Sequence, residues 1–403
     1  MSAPVKSQAK VRFIFITILL DAIGLGLLIP VLPDVLRRFG TDPAFVSTNF
    51  GYFISLYALM QFVASPVLGS LSDRYGRRPI LLVSLLAAGV DYLFMAFAPT
   101  LGLLYVGRFI SGLTGASQTV ASSYMADIST DKDRSANFGM IGAAFGVGFI
   151  LGPLIGGLVS RWGFQAPFMA AAVLNVANFC YGLFVLPESL DLEHRREIHW
   201  KSLNPLRSVV KVLKPSPYVA LVGVYFLLFL AGQVHPVNWT LYTELKFQWT
   251  PLQVGMSLSF VGASIAFASV KLTRVLIPKL GEQRAVTFGL IVYVIGFALF
   301  GLATQGWMMY AVMAFFATSA VTMPALQSII SAQIPKNQQG EFQGSLVALG
   351  NIATIVAPLL FMSLFAEFTK ADAPFFFPGA AYVGASVICL GALALDRFWT
   401  KDK

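Results

Sequence analysis

From Val11 to Pro33 the chain reads VRFIFITILLDAIGLGLLIPVLP, an apolar run interrupted near its centre by Asp21. Runs of this length recur along the whole sequence, separated by short polar or basic stretches. About 20 apolar residues in a helix cover the ~30 Å hydrocarbon layer of a bilayer. Lipid offers the backbone no hydrogen-bond partners, so such runs must fold as helices. The period-two alternation of a membrane barrel is absent. Twelve spans are predicted, at about 11–33, 49–71, 79–98, 101–124, 137–160, 164–186, 218–241, 252–276, 284–303, 306–331, 341–365 and 376–396. The expected class is an all-α membrane protein of twelve transmembrane helices.

Charge orients these spans. With both termini on the cytoplasmic side, twenty-two of the 28 Lys and Arg residues fall inside. Only Arg37, Arg38, Arg161, Lys246 and Lys370 fall in outer loops, a strong positive-inside bias. The net charge of +9 follows from that bias and gives no argument for nucleic acid. Composition agrees: 57% of residues are hydrophobic and 12% charged, about half the charged fraction of a soluble domain. The first run is too long for a cleavable signal and lacks a small-residue cleavage site. Cys180 and Cys389 both fall in predicted spans and read as small apolar residues.

The longest polar stretch, 187–217, divides the spans six and six, giving an N-terminal bundle at 1–186, a linker, and a C-terminal bundle at 218–403. His194 and His199 in the linker suit a mixed-charge water interface better than a metal site. At a fixed shift of 205 residues the halves resemble each other. DRSANFGMIGAAFGVGFILGPL from Asp133 aligns without gaps to QQGEFQGSLVALGNIATIVAPL from Gln338. Gly139 meets Gly344, Pro153 meets Pro358, and Gly76 meets Gly281. Such halves suggest two pseudo-symmetric six-helix bundles with a solute site between them.

Asp21, Asp91 and Arg108 are charges set well inside the predicted spans of the first half. A carboxylate near the centre of a spanning helix costs roughly 2.5–3.5 kcal/mol on insertion scales, so Asp21 must face a polar interior or a partner. Arg108 lies roughly 10 Å below the outer surface, at 1.5 Å per residue, and needs a counter-charge. Asp21 and Asp91 sit at comparable depth and are its two candidate partners, Asp21 the first choice. The second half offers only neutral or weakly ionisable groups: Gln233, His235, Asn238, Gln327, Gln343 and Asn351. His235 is either a titrating ring or a hydrogen-bonded core histidine.

The loop after the second span reads GSLSDRYGRRP, from Gly69 to Pro79. Gly69 and Gly76 permit close helix approach and a tight turn. Asp73 suits a helix N-terminus, and Arg77 and Arg78 suit acidic partners, with Asp127 expected to meet Arg77. This loop resembles the signature loop of the major facilitator superfamily, where it latches the outward-open state. GRFISGLTGA around Arg108 resembles a second superfamily motif, whose arginine is tied to proton handling. In the fifth span, GVGFILGPLIGG spaces Gly148, Gly152 and Gly156 four apart, a flat packing face, and Pro153 kinks the helix. With Gly157 it resembles the superfamily's antiporter motif, which marks exporters.

LDAIGLGLLIPVLP, MADIS at Met125–Ser129, NWTLYTELKFQW at Asn238–Trp249 and QGEFQGSLVAL at Gln339–Leu349 resemble the tetracycline-resistance group of drug:proton antiporters. That resemblance covers nearly the full length. Two departures bear on cargo: the group's histidine in the eighth span and aspartate in the ninth have no counterpart in SFVGASIAFASV and FGLIVYVIGFALFGL. The resemblance implies a monomeric exporter of the bacterial inner membrane. It would move a hydrophobic or amphipathic small molecule, a drug and in some members tetracycline, in exchange for protons as the coupling ion and with no other cofactor or metal. Asp21, Asp91 and Arg108 would handle the proton. The alternative cargo is an endogenous sugar, siderophore or lipid-like compound. An enzyme is not expected, because no nucleophile–base pair, phosphate loop or metal-ligand spacing occurs; Gly146–Gly148 lies inside a helix with no preceding strand.

Overall fold

The structure is a computed structural model that describes residues 3–115, 117–129, 133–195, 218–334 and 339–401. His199 and most of the expected linker lie outside the described residues. All regular structure within them is helical. The first part of the chain forms α1 (Ala3–Leu28), α2 (Leu32–Arg37), α3 (Pro43–Tyr75), α4 (Arg77–Phe97), α5 (Leu101–Thr114), α6 (Ser117–Ile128), α7 (Arg134–Val159) and α8 (Ala166–Val185). The second forms α9 (Val219–Gly232), α10 (Val234–Phe247), α11 (Pro251–Leu280), α12 (Glu282–Leu302), α13 (Gly306–Phe316), α14 (Thr322–Ala332), α15 (Gln339–Glu367) and α16 (Ala380–Lys401).

Eleven stretches of the described helices are long and apolar enough to cross a membrane. The expected span at 101–124 is divided instead: α5 ends at Thr114 and α6 begins at Ser117, so neither piece alone has the length. The break has a partner. The Gln61 amide donates to the Gly115 carbonyl at 2.9 Å, supplying the bond a continuous helix would have made. The fold is all-α and multi-pass. Its outward side chains fit lipid rather than water, as with Phe184 at 84% exposure and Trp307 at 70%.

Two compact units emerge. One comprises Met1–Phe39, Leu56–Asn204 and Pro251–Ser259; the other comprises Gly40–Ser55, Pro205–Thr250 and Phe260–Lys403. The 205-residue repeat is realised in their helices. Arg77–Phe97 and Glu282–Leu302 correspond end to end, each beginning at a glycine of positive φ, Gly76 at 105° and Gly281 at 78°. In the first unit Ser259 Oγ donates to the Ile150 carbonyl, and in the second Ser55 Oγ donates to the Ile355 carbonyl, again 205 residues on.

Packing follows residue size. A methyl group at Gly152 would lie 2.7 Å from the Gly26 Cα, and one at Gly148 would meet Ala22 at 2.5 Å, so the glycine face of α7 lies flush against α1. Backbones approach this closely only where side chains are absent. The rest of the first unit's core gathers Phe13, Ile14, Leu81, Leu85, Tyr124 and Met125.

Candidate functional site

In the first unit the ionisable residues of the spans are brought to neighbouring helices. Asp91 on α4 is 4% exposed and Arg108 on α5 is 5% exposed. They form an ion pair, Arg108 Nη1 donating to Asp91 Oδ2 at 2.8 Å. The pairing thus falls to Asp91 rather than to Asp21, the carboxylate expected first, because the α4–α5 hairpin brings the two chains together directly. The guanidinium also stacks over Tyr57, with Cζ 4.7 Å from the ring centroid. A π-face stabilises a desolvated cation, by about 2 kcal/mol at best.

Asp21 is held differently. Ser117 Oγ, at the start of α6, donates to its Oδ2 at 2.7 Å. Ala22 sits in the notch at Gly148, so the α1–α7 contact fixes the height and rotation of Asp21. One turn along α1, Gly24 lies against the Asn175 amide and the Tyr92 hydroxyl. Sequence reasoning missed Ser117, Tyr57 and Asn175. Polar residues in the second, fourth and sixth spans were their only signal.

The turn between α3 and α4 forms a second cluster. Arg77 is bound by Asp73 one turn earlier, donates to Ser72 Oγ at 2.7 Å, and reaches Asp127 Oδ2 with Nε at 3.1 Å. Arg78 Nη2 donates to the Leu183 carbonyl at 2.5 Å. A side chain at Gly69 would meet nothing within 4 Å, whereas Gly76 is covered by Glu188. Asp73, Arg77, Asp127, Asp191 and Arg195 line a cavity of about 690 Å³ beside this turn.

The second unit collects the neutral candidates. Gln233 stands at the junction of α9 and α10 and donates to Thr354 Oγ1 at 3.1 Å. His235 follows it, ringed by Trp239, Phe297, Phe300, Phe316 and Tyr382 with centroids 4.9–5.6 Å away. Asn238, one turn on, is fully buried. Gln327 on α14 bonds Tyr225. Gln343 on α15 is exposed and donates to Ser331 Oγ at 3.2 Å; Asn351, two turns further, is exposed as well. Gln233, His235 and Asn238 therefore share one helix junction, and Asn351 lies one turn from the Thr354 that Gln233 bonds. Among the described residues no three metal-ligating side chains cluster.

Buried opposite charges inside spanning helices, with glycine-notched packing around them, define a membrane transport protein rather than an enzyme. The Major Facilitator Superfamily profile matches residues 14–358 and 221–402, and the chain belongs to that family. It is 40% identical over 391 residues to the tetracycline resistance protein, class C, of Escherichia coli, covering 96% of this chain and 97% of that one. It is 42% identical over 351 residues to the class G protein of Vibrio anguillarum, covering 86% and 88%. Among solved structures it resembles the human organic anion transporter MFSD10, with a TM-score of 0.69 and 25% identity over 97% of this chain and 99% of that one. The protein is a secondary transporter of the drug-efflux type.

Proposed function

We propose that the protein exports a hydrophobic or amphipathic small molecule from the bacterial cytoplasm in exchange for protons. The observation that carries this reading is the Asp91–Arg108 pair, buried in spanning helices beside Asp21 with its single hydroxyl donor. A buried ion pair is an expensive way to stabilise a fold. Its use is to exchange partners. Opened outward, a carboxylate takes up a proton as cargo leaves; opened inward, it gives the proton up and cargo binds. Each ligand biases the cycle only through its different affinity for the two states.

In this reading α5 and α6 together make the twelfth crossing, 1–186 and 218–403 are the two bundles, and 187–217 links them. Both termini are cytoplasmic, the membrane is the inner one, and the working unit is a monomer. Asp21, Gln233, His235, Asn238, Gln327, Gln343 and Asn351 supply polar contacts to cargo, and the cluster at Gly69, Asp73, Gly76, Arg77, Arg78 and Asp127 latches one state. The kinship with tetracycline-resistance proteins makes tetracycline the first probe. The missing histidine and aspartate of the eighth and ninth spans favour testing other drugs and endogenous amphiphiles beside it.

The test uses everted membrane vesicles carrying Asp21→Asn. Insertion is expected to be normal and proton-coupled export lost. Export at the rate of the unaltered protein would overturn the assignment of Asp21.

A further inference from the structure

The helix that bears Asp91 is gripped at both ends by charges from other elements. At its start Gly76 offers no side-chain cap. Glu188, beyond α8, takes that place: Oε1 accepts from the Arg77 amide at 2.8 Å and Oε2 from the Arg78 amide at 3.2 Å. The same carboxylate accepts from the amides of Ser189 and Leu190, and Ser189 Oγ donates to Asp127 at 3.0 Å, so the Glu188 segment is itself pinned. At the far end Arg38 donates to the carbonyls of Ala96 and Ala98 at 3.4 and 3.3 Å, braced over the Phe164 ring at 5.0 Å. An anion thus sits at the positive end of the α4 dipole and a cation at its negative end.

The second unit repeats the arrangement independently. Lys246 Nζ donates to the Gly301 carbonyl at 3.0 Å, and Gly301 is Ala96 shifted by 205. At the opposite end Asp396, fully buried, accepts from the Gln283 side-chain amide and the Thr287 hydroxyl on the opening turns of α12, each at 2.8 Å, so the acid is held there through side chains and not through backbone amides. Two units that differ in every charged residue at these points keep acid at the start and base at the end of the same helix.

We propose that Glu188 and Arg38 are positioning residues for the Asp91–Arg108 pair, clamping α4 through its backbone. A slip of one residue along a helix moves a side chain by 1.5 Å and rotates it by 100°. A contact of 2.8 Å between Asp91 and Arg108 survives neither. The clamp rests on the proton-handling role given above to Asp91, and the experiment separates the two.

Full-length protein in liposomes is titrated by infrared spectroscopy, following the carboxyl band that Asp91→Asn removes. The midpoint is expected to move by about half a pH unit or more in Glu188→Ala and in Arg38→Gln, the shift that loss of a capping contact carries, and to return most of the way in Glu188→Asp. An unmoved midpoint in both variants, whatever their yield, overturns the clamp. Failure of the proton role looks different: in the unaltered protein the Asp91 band keeps one protonation state from roughly pH 4 to 10. The clamp is then judged by amide exchange over residues 88–95, where faster exchange in both variants supports it and unchanged exchange overturns it.

Discussion

Arg108 carries its charge into a layer where an unpaired ion is costly, and two contacts help answer that cost: the Asp91 carboxylate and the face of the Tyr57 ring. Removing one member of a buried pair leaves the other stranded, at about 3–5 kcal/mol. Arg108→Ala should therefore lower the melting temperature of detergent-purified protein more than Asp91→Asn combined with Arg108→Gln does. Additive losses in the cycle built from Asp91→Asn, Arg108→Gln and the double variant would show that the two side chains are not energetically coupled. The sequence marked both residues by charge alone. It did not reveal which carboxylate Arg108 would choose, because that depends on how α1, α4 and α5 rotate against one another. Glu188 was hidden for another reason: among twelve charged or titratable linker residues, nothing in the one-dimensional pattern singles out the one that folds back on Gly76.

The glycine repeat of α7 acts as an element, and a glycine of the same helix outside the repeat is not equivalent to its members. A methyl at Gly152 meets the Gly26 backbone at 2.7 Å, while a methyl at Gly146 meets nothing within 4 Å. Gly152→Ala should push α1 from α7, shift Asp21 and abolish export, whereas Gly146→Ala should transport like the unaltered protein. Export rates normalised to protein in the membrane decide it, and equal rates in both variants would break the link between this face and Asp21. The four-residue spacing was readable as a packing stripe in advance. The partner helix was not, since many apolar faces could have received it. Span boundaries were also readable to within a few residues, except where Gly115 divides the fourth. That break falls where Gly112, Thr114, Gly115 and Ser117 weaken the helix, a signal too common in membrane spans to mark it without the Gln61 contact.

On the scale of the whole chain, the 205-residue shift was visible in one 22-residue alignment and a pair of glycines. It extends into the sign of charge at helix ends, serine-to-carbonyl bonds and matching helix limits, carried by residues of different identity. Pattern matching sees identities; the fold conserves charge at helix ends, which Lys246 and Arg38 satisfy equally. In the first half Arg77 joins Asp73 and Asp127, the cluster proposed as the latch. For Asp73→Ala a folded protein with slowed cycling is expected, since Arg77 keeps Asp127 and Ser72. Binding affinity for a transported probe should stay near normal while turnover falls several-fold, about the size of a partly exposed ion pair. Unchanged turnover would remove Asp73 from the conformational cycle.

The interruption at Gly115 has a mechanical meaning. Arg108, which holds Asp91, rides on the rod before the joint, and Ser117, which holds Asp21, rides on the rod after it. Any flexing there alters the spacing of the two acids' anchors at once, so a load applied to either carboxylate reaches the other through a single elbow.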